Sequence, residues 1–114
     1  MQYKEVSDFI IRKLETALPA YITYHTAEHT KKVLEAVEKL AAMEGISGND
    51  LILLKTAALF HDTGFLQHHH EHEELSCKIA RKYLPEYSYT PEQTEQICRM
   101  IMATKLPQKP IDKL

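Results

Sequence analysis

Leu51-Ile52-Leu53-Leu54-Lys55-Thr56-Ala57-Ala58-Leu59-Phe60-His61-Asp62 is the stretch whose reading decides the fold. It is apolar around nearly the whole turn of a helix, with Lys55 as its only charge before the last residue, and such a helix belongs in the middle of a core. It runs straight into an imidazole and a carboxylate. Gly64 then offers a C-terminal stop.

Helical spacing continues on both sides. Val6, Phe9, Ile10, Leu14 and Ala17 outline a first amphipathic helix that ends before Pro19. Thr26 is the expected N-cap of a second, whose inner stripe is read as His29, Val33, Ala36, Val37, Leu40 and Ala41, running up to Gly45. Lys31, Glu35 and Lys39 on its outer face are spaced for i,i+4 pairing. After the central helix, a fourth is expected from about Glu71 to Leu84, with His72, Leu75, Ser76, Ile79 and Tyr83 on one face. Thr90-Pro91-Glu92-Gln93 announces a fifth, combining a capping Thr, Pro at the first helical position and Gln three residues after the cap. Its inner stripe holds Thr94, Ile97, Cys98 and Ile101.

Leu106-Pro107-Gln108-Lys109-Pro110 breaks the pattern, and Ile111-Asp112-Lys113-Leu114 reads as the opening of another helix. The expectation is a chain that is truncated, proteolysed or split from a longer one. With no strand alternation and no internal repeat, the sequence predicts an all-α, compact bundle of about five helices forming one domain over residues 1–114.

Composition narrows the function classes. Lys+Arg 14 against Asp+Glu 16 gives a net charge of -2, so no overall basic field draws in nucleic acid or an anionic membrane, and any phosphate must be held by a local site. No run approaches the roughly 18 to 20 apolar residues of a membrane span, and the N-terminus does not resemble an export signal, so a cytoplasmic protein is expected. Cys77 and Cys98 lie in separate helical patterns without Cys-x-x-Cys spacing and read as buried thiols. All 7 histidines fall between His25 and His72. That crowding of a metal-seeking residue is the strongest chemical signal in the chain.

His61-Asp62 at the end of so apolar a helix is costly to desolvate unless something offsets the cost, and a bound cation does so. Neutral imidazole with ionised carboxylate suits a borderline or hard divalent ion: Mn, Mg, Fe, Co, Ni or Zn. His29, read as facing inward on the first turn of the neighbouring helix, can reach the same point. Taken singly, each residue has a plainer reading: a hydrogen-bonded core histidine, a helix-closing aspartate and an exposed first-turn histidine.

In order and spacing, Tyr24-His25-Thr26-Ala27-Glu28-His29, His29-Thr30-Lys31-Lys32-Val33, Ala57-Ala58-Leu59-Phe60-His61-Asp62-Thr63-Gly64 and His72-Glu73-Glu74-Leu75-Ser76 resemble the HD superfamily of metal-dependent phosphohydrolases, in a bacterial branch, with Ile101-Met102-Ala103-Thr104 a weaker match. The resemblance implies that His29, His61 and Asp62 are metal ligands. It also implies a later Asp ligand, which Asp112 does not fit and which is expected beyond residue 114. Branches that bind two metals add histidines, and His72 is the candidate here, while His68, His69 and His70 cannot all point at one site. Glu73, on the Cys77, Ala80 and Leu84 side of its helix, is the candidate general acid or base beside Asp62. Glu74 shares an outer face with Lys78 and Arg81. His25 and Lys32 are the candidate substrate-binding residues, with an exposed turn and a solvated face as their plainer readings.

The reaction so implied is hydrolysis of a phosphate mono- or diester in a nucleotide-like or other small phosphorylated substrate by metal-activated water, with one or two metals per site. No Gly-x-Ser-x-Gly elbow, Gly-rich phosphate loop or catalytic-cysteine context competes with it. Two alternatives stay open: an inactive HD-fold nucleotide- or metal-binding sensor or interaction module, and a helical bundle whose His-rich loop binds metal adventitiously. No nucleic-acid or membrane partner is expected, and an oligomer is compatible with the sequence.

Overall fold

A computed structural model describes residues 1–16, 20–61, 63 and 72–103, with residues 20–26 and 72 described in backbone only. Among the described residues there are five α-helices, one 3-10 turn and no strand: α1 (Tyr3–Thr16), α2 (Ala20–Glu44), α3 (Gly48–Phe60), α4 (His72–Tyr83), the turn Leu84–Tyr87 and α5 (Pro91–Ala103). The all-α class and the helix number are as the sequence predicts. α3 is the central rod and packs against each of the other four helices. It buries Leu53, Thr56, Ala57, Leu59 and Phe60. Val6, Ile10 and Leu14 of α1, Cys77 and Ala80 of α4, and Ile97, Cys98 and Ile101 of α5 close on it to form one hydrophobic cluster.

Local chemistry sets the ends of these elements. At α5 the Thr90 N–H donates to Gln93 Oε1 over 2.9 Å and the Gln93 N–H donates to Thr90 Oγ1 over 3.1 Å, a reciprocal capping box that satisfies two donors the helix cannot. α2 stops at Gly45, whose φ of 73° lets the Ile46 N–H reach back to the Ala41 carbonyl over 2.8 Å while the Gly45 N–H reaches Ala42. The chain start is anchored far along the sequence: the Gln2 N–H donates to the Tyr87 carbonyl over 2.8 Å, and the Phe9 ring packs edge-on against Tyr83 at 4.9 Å. Deep in the core, Thr56 Oγ1 donates to the Ile52 carbonyl over 2.7 Å, so across the 2.8 Å contact with Tyr89 the phenol is the donor.

Several expectations are corrected. α2 begins at Ala20, so Thr26 is an interior residue rather than the N-cap, and His25 lies within the helix rather than ahead of it. The sequence between Pro19 and Gly45 contains neither proline nor glycine, so nothing stops the helix there. The buried face of α2 is also different except at Ala41, which is buried as expected: Ala27 and Thr30 are buried and Leu34 packs against the core, whereas His29, Ala36 and Leu40 are exposed and Val33 and Val37 are intermediate. The helix carries two overlapping apolar stripes offset by one residue, or about 100°. The one with the smaller side chains gains the closer approach to α1 and α3. Leu40 and Met43 are left 59% and 79% exposed.

Lys31, expected to pair along α2, pairs across to Glu15 of α1 at 3.5 Å, and Glu38 pairs with Lys55 of α3 at 2.9 Å. α3 ends at Phe60, short of Gly64. In α4 the buried face is Glu73, Ser76, Cys77 and Ala80, continued by Leu84, while Leu75, Ile79 and Tyr83 are intermediate. Arg81 grips Glu95 of α5 with two bonds of 2.8 and 2.9 Å. Ala17, Gly64, Thr104 and Asp112 lie outside the described residues.

Candidate metal centre

The end of α3 is closed by side chains rather than by further helix. A helix leaves its last carbonyls without intrahelical donors. Here the His61 ring meets the Ala58 carbonyl through Nδ1 at 2.6 Å, Thr63 Oγ1 donates to the Phe60 carbonyl over 2.7 Å, and Ser76 Oγ of α4 donates to the His61 carbonyl over 2.9 Å. Thr63 and Ser76 are completely buried, and His61 is partly buried. These three contacts hold both the backbone and the ring of His61.

The first of them fixes the tautomer. A carbonyl oxygen only accepts, so Nδ1 carries the hydrogen and the lone pair of the neutral ring is on Nε2. This is how metal-binding histidines are oriented, one ring nitrogen donating to a carbonyl or carboxylate and the other presented to the ion. The negative end of the α3 dipole falls at the same place and favours a cation there.

His29 approaches from α2. Its ring centroid is 6.1 Å from that of His61, with the planes at 48°. Two imidazoles sharing one ion at bond lengths of about 2.1 Å with an angle near 100° have centroids roughly 5 Å apart, so the pair stands about 1 Å wider than a shared ion requires. His29 is exposed, which corrects the expectation of an inward-facing residue: it approaches His61 from the solvent side of α2. Lys32, one turn on, is also exposed.

Glu73 sits in the first turn of α4, buried to 6% exposure, where the positive end of the helix dipole favours its carboxylate. It lies on the face that continues through Cys77 and Ala80, as its helical position implies. Ser76, one turn later, ties that part of α4 to His61. Asp62 lies outside the described residues, as do His68, His69 and His70 and the side chains of His25 and His72. Among the described residues no group of three or more His, Cys, Asp or Glu stands close enough to hold a metal ion. The donor chemistry of the described pair, two imidazoles with one tautomer fixed, nevertheless fits a divalent cation.

Thr63 and Ser76 are the residues supporting the end of α3 that sequence reasoning passed over. Ser76 was placed on the inner side of α4 without a role, and the carbonyls both residues serve leave no trace in the sequence. No helix among the described residues is long and apolar enough to cross a membrane.

Comparison with known proteins gives one positive result. Residues 26–110 match the HD domain family. No curated protein and no solved structure matches the chain. The matched segment runs from within α2 past the end of α5 and so includes both imidazoles, the end of α3 and all of α4. The chain belongs to the HD-domain family, within a superfamily of metal-dependent phosphohydrolases.

Proposed function

We propose that this protein is a metal-dependent phosphohydrolase acting on a phosphate mono- or diester of a nucleotide-like or other small phosphorylated compound. The observation that carries the reading is the pairing of His29 and His61 from two packed helices, with the His61 ring turned by the Ala58 carbonyl so that Nε2 holds the lone pair. When bound, a divalent cation neutralises charge on the phosphoryl oxygens and lowers the pKa of water toward neutrality.

The protein's own groups do the rest. His29, His61 and Asp62 hold the ion, with His72 as the added ligand if a second ion binds, and Mn, Mg, Fe, Co, Ni and Zn are the candidate metals. Glu73, buried at the start of α4, exchanges the proton that hydrolysis moves. Lys32 and His25, one turn beyond His29 and one turn before it, meet the substrate phosphate.

The test is metal analysis of the purified protein after loading with Mn²⁺, combined with release of product from a panel of phosphomonoesters and phosphodiesters. The proposal expects metal-dependent turnover, with His61→Ala losing most of both metal and activity. Metal content unchanged in His61→Ala sinks the site. Metal that depends on His61 but supports no turnover on any ester favours a sensor or interaction module built on the same fold.

A further inference from the structure

Cys77 of α4 and Cys98 of α5 play no part in the site above. Both are buried, at 3% and 2% exposure, and both are free thiols. Their contact is reciprocal: Cys77 Sγ donates to the Cys98 carbonyl at 3.4 Å, and Cys98 Sγ donates to the Cys77 carbonyl at 3.7 Å. Each sulfur therefore lies against the other residue's own backbone, and the two thiols meet within the α4–α5 contact, where a disulfide closes once both side chains turn from carbonyl to sulfur. Ala80, buried one turn along from Cys77, adds no bulk that would hold the helices apart.

We propose that Cys77 and Cys98 form a dithiol modification site, which a hydroperoxide oxidises to an internal disulfide joining α4 to α5. The step balances. One thiol, as its thiolate, attacks the O–O bond; the distal oxygen goes to sulfur as a sulfenic acid, and the remaining oxygen leaves as an alcohol, or as water from hydrogen peroxide, taking up a proton. The second sulfur attacks the sulfenic sulfur, the S–S bond forms, the S–O bond breaks and water leaves. Two thiols and one hydroperoxide give one disulfide, one alcohol and one water. Burial, and then the neighbouring Cys98, push the Cys77 thiol up to about 12, so the closed helix pair holds almost no thiolate. Oxidation therefore proceeds through openings of the α4–α5 contact and is slow, with a rate that rises in dilute urea.

The experiment exposes the intact 114-residue protein to hydrogen peroxide, then unfolds it, alkylates free thiols and weighs it without reductant. The proposal expects a monomer two hydrogens lighter with no alkylated cysteine, and a peptide map in which the Cys77 and Cys98 peptides are joined. Cys77→Ala and Cys98→Ala should show no such species. The bond closes a loop of about 20 residues, so the oxidised protein should melt about 10 °C higher than the reduced one. Two cysteines that remain alkylable, separate oxygen additions on each, or disulfide-linked dimers overturn the proposal. A cross-linked monomer that melts lower than the reduced protein also overturns it, because the bond would then have formed outside the native packing.

Discussion

The Ser76 hydroxyl donates to the backbone carbonyl of His61 over 2.9 Å, and it does so from a side chain with no exposed surface. One bond thus joins the first half of α4 to the residue on which the candidate metal centre depends. Ser76→Ala removes it without adding bulk. Stability to urea should fall by about 1 kcal/mol, the usual net worth of a hydrogen bond. If His61 serves a metal, affinity should also drop roughly tenfold, as for other outer contacts that orient a ligand. A variant with unchanged stability would mean that water takes over the bond at no cost.

Thr56 and Tyr89 should behave asymmetrically. Tyr89 donates to Thr56, which has already given its own proton to Ile52. Tyr89→Phe removes a donor and leaves Thr56 still bonded, for a loss of about 1 kcal/mol. Thr56→Val leaves a buried phenol with no acceptor there, for roughly 1–3 kcal/mol. Urea titrations of both single variants and the double variant will show whether Thr56→Val is the costlier change, and whether the double loses less than the sum of the two.

At the start of α5, Thr90→Ala should cost about 1 kcal/mol and Thr90→Gly less, while Thr90→Asp should retain the cap, its carboxylate also favoured by the helix dipole. Equal midpoints for all three variants would show that the box seen between Thr90 and Gln93 adds nothing to folding.

Alkali should weaken the protein in a specific window. Burial holds the Cys77 thiol up at about 12, against an ordinary value of 9.0, and it raises Cys98, Tyr3 and Tyr89 as well. The folded chain therefore keeps protons that the unfolded chain releases. Stability from Cys77 is complete below pH 9 and is lost as the pH climbs toward 12, by up to about 1.4 kcal/mol per pH unit. Urea midpoints measured at pH 8 and pH 10 should show the fall, and Cys77→Ala should flatten it. An equal slope in that variant would put the titration elsewhere.

What the sequence disclosed depended on how local the governing chemistry is. The α5 cap and its buried stripe of Thr94, Ile97, Cys98 and Ile101 are set by residues whose successive spacings never exceed four positions, and the structure agrees with both. α3 was readable because from Leu51 to Phe60 every residue but Lys55 and Thr56 is apolar. α2 was misread in its start and its face, because two stripes compete and only the neighbours' shapes decide between them. His29 followed from the wrong stripe and is exposed, although its ring does stand near His61. The closure of α3 was invisible for another reason: its acceptors are carbonyls of Ala58, Phe60 and His61, which every residue has, and one donor comes from fifteen positions downstream.

The bond from Gln2 to Tyr87 sets a timetable as well as an anchor. During synthesis α1 emerges well before the residues against which Phe9 packs, Tyr83 and Tyr87. That contact must wait until about 70 residues beyond the end of α1 have left the ribosome, with only α2 and α3 to cover the helix before then. Helix α1 is thus fully secured only after Tyr87 is made, and nascent chains released before that point should be the ones that chaperones hold.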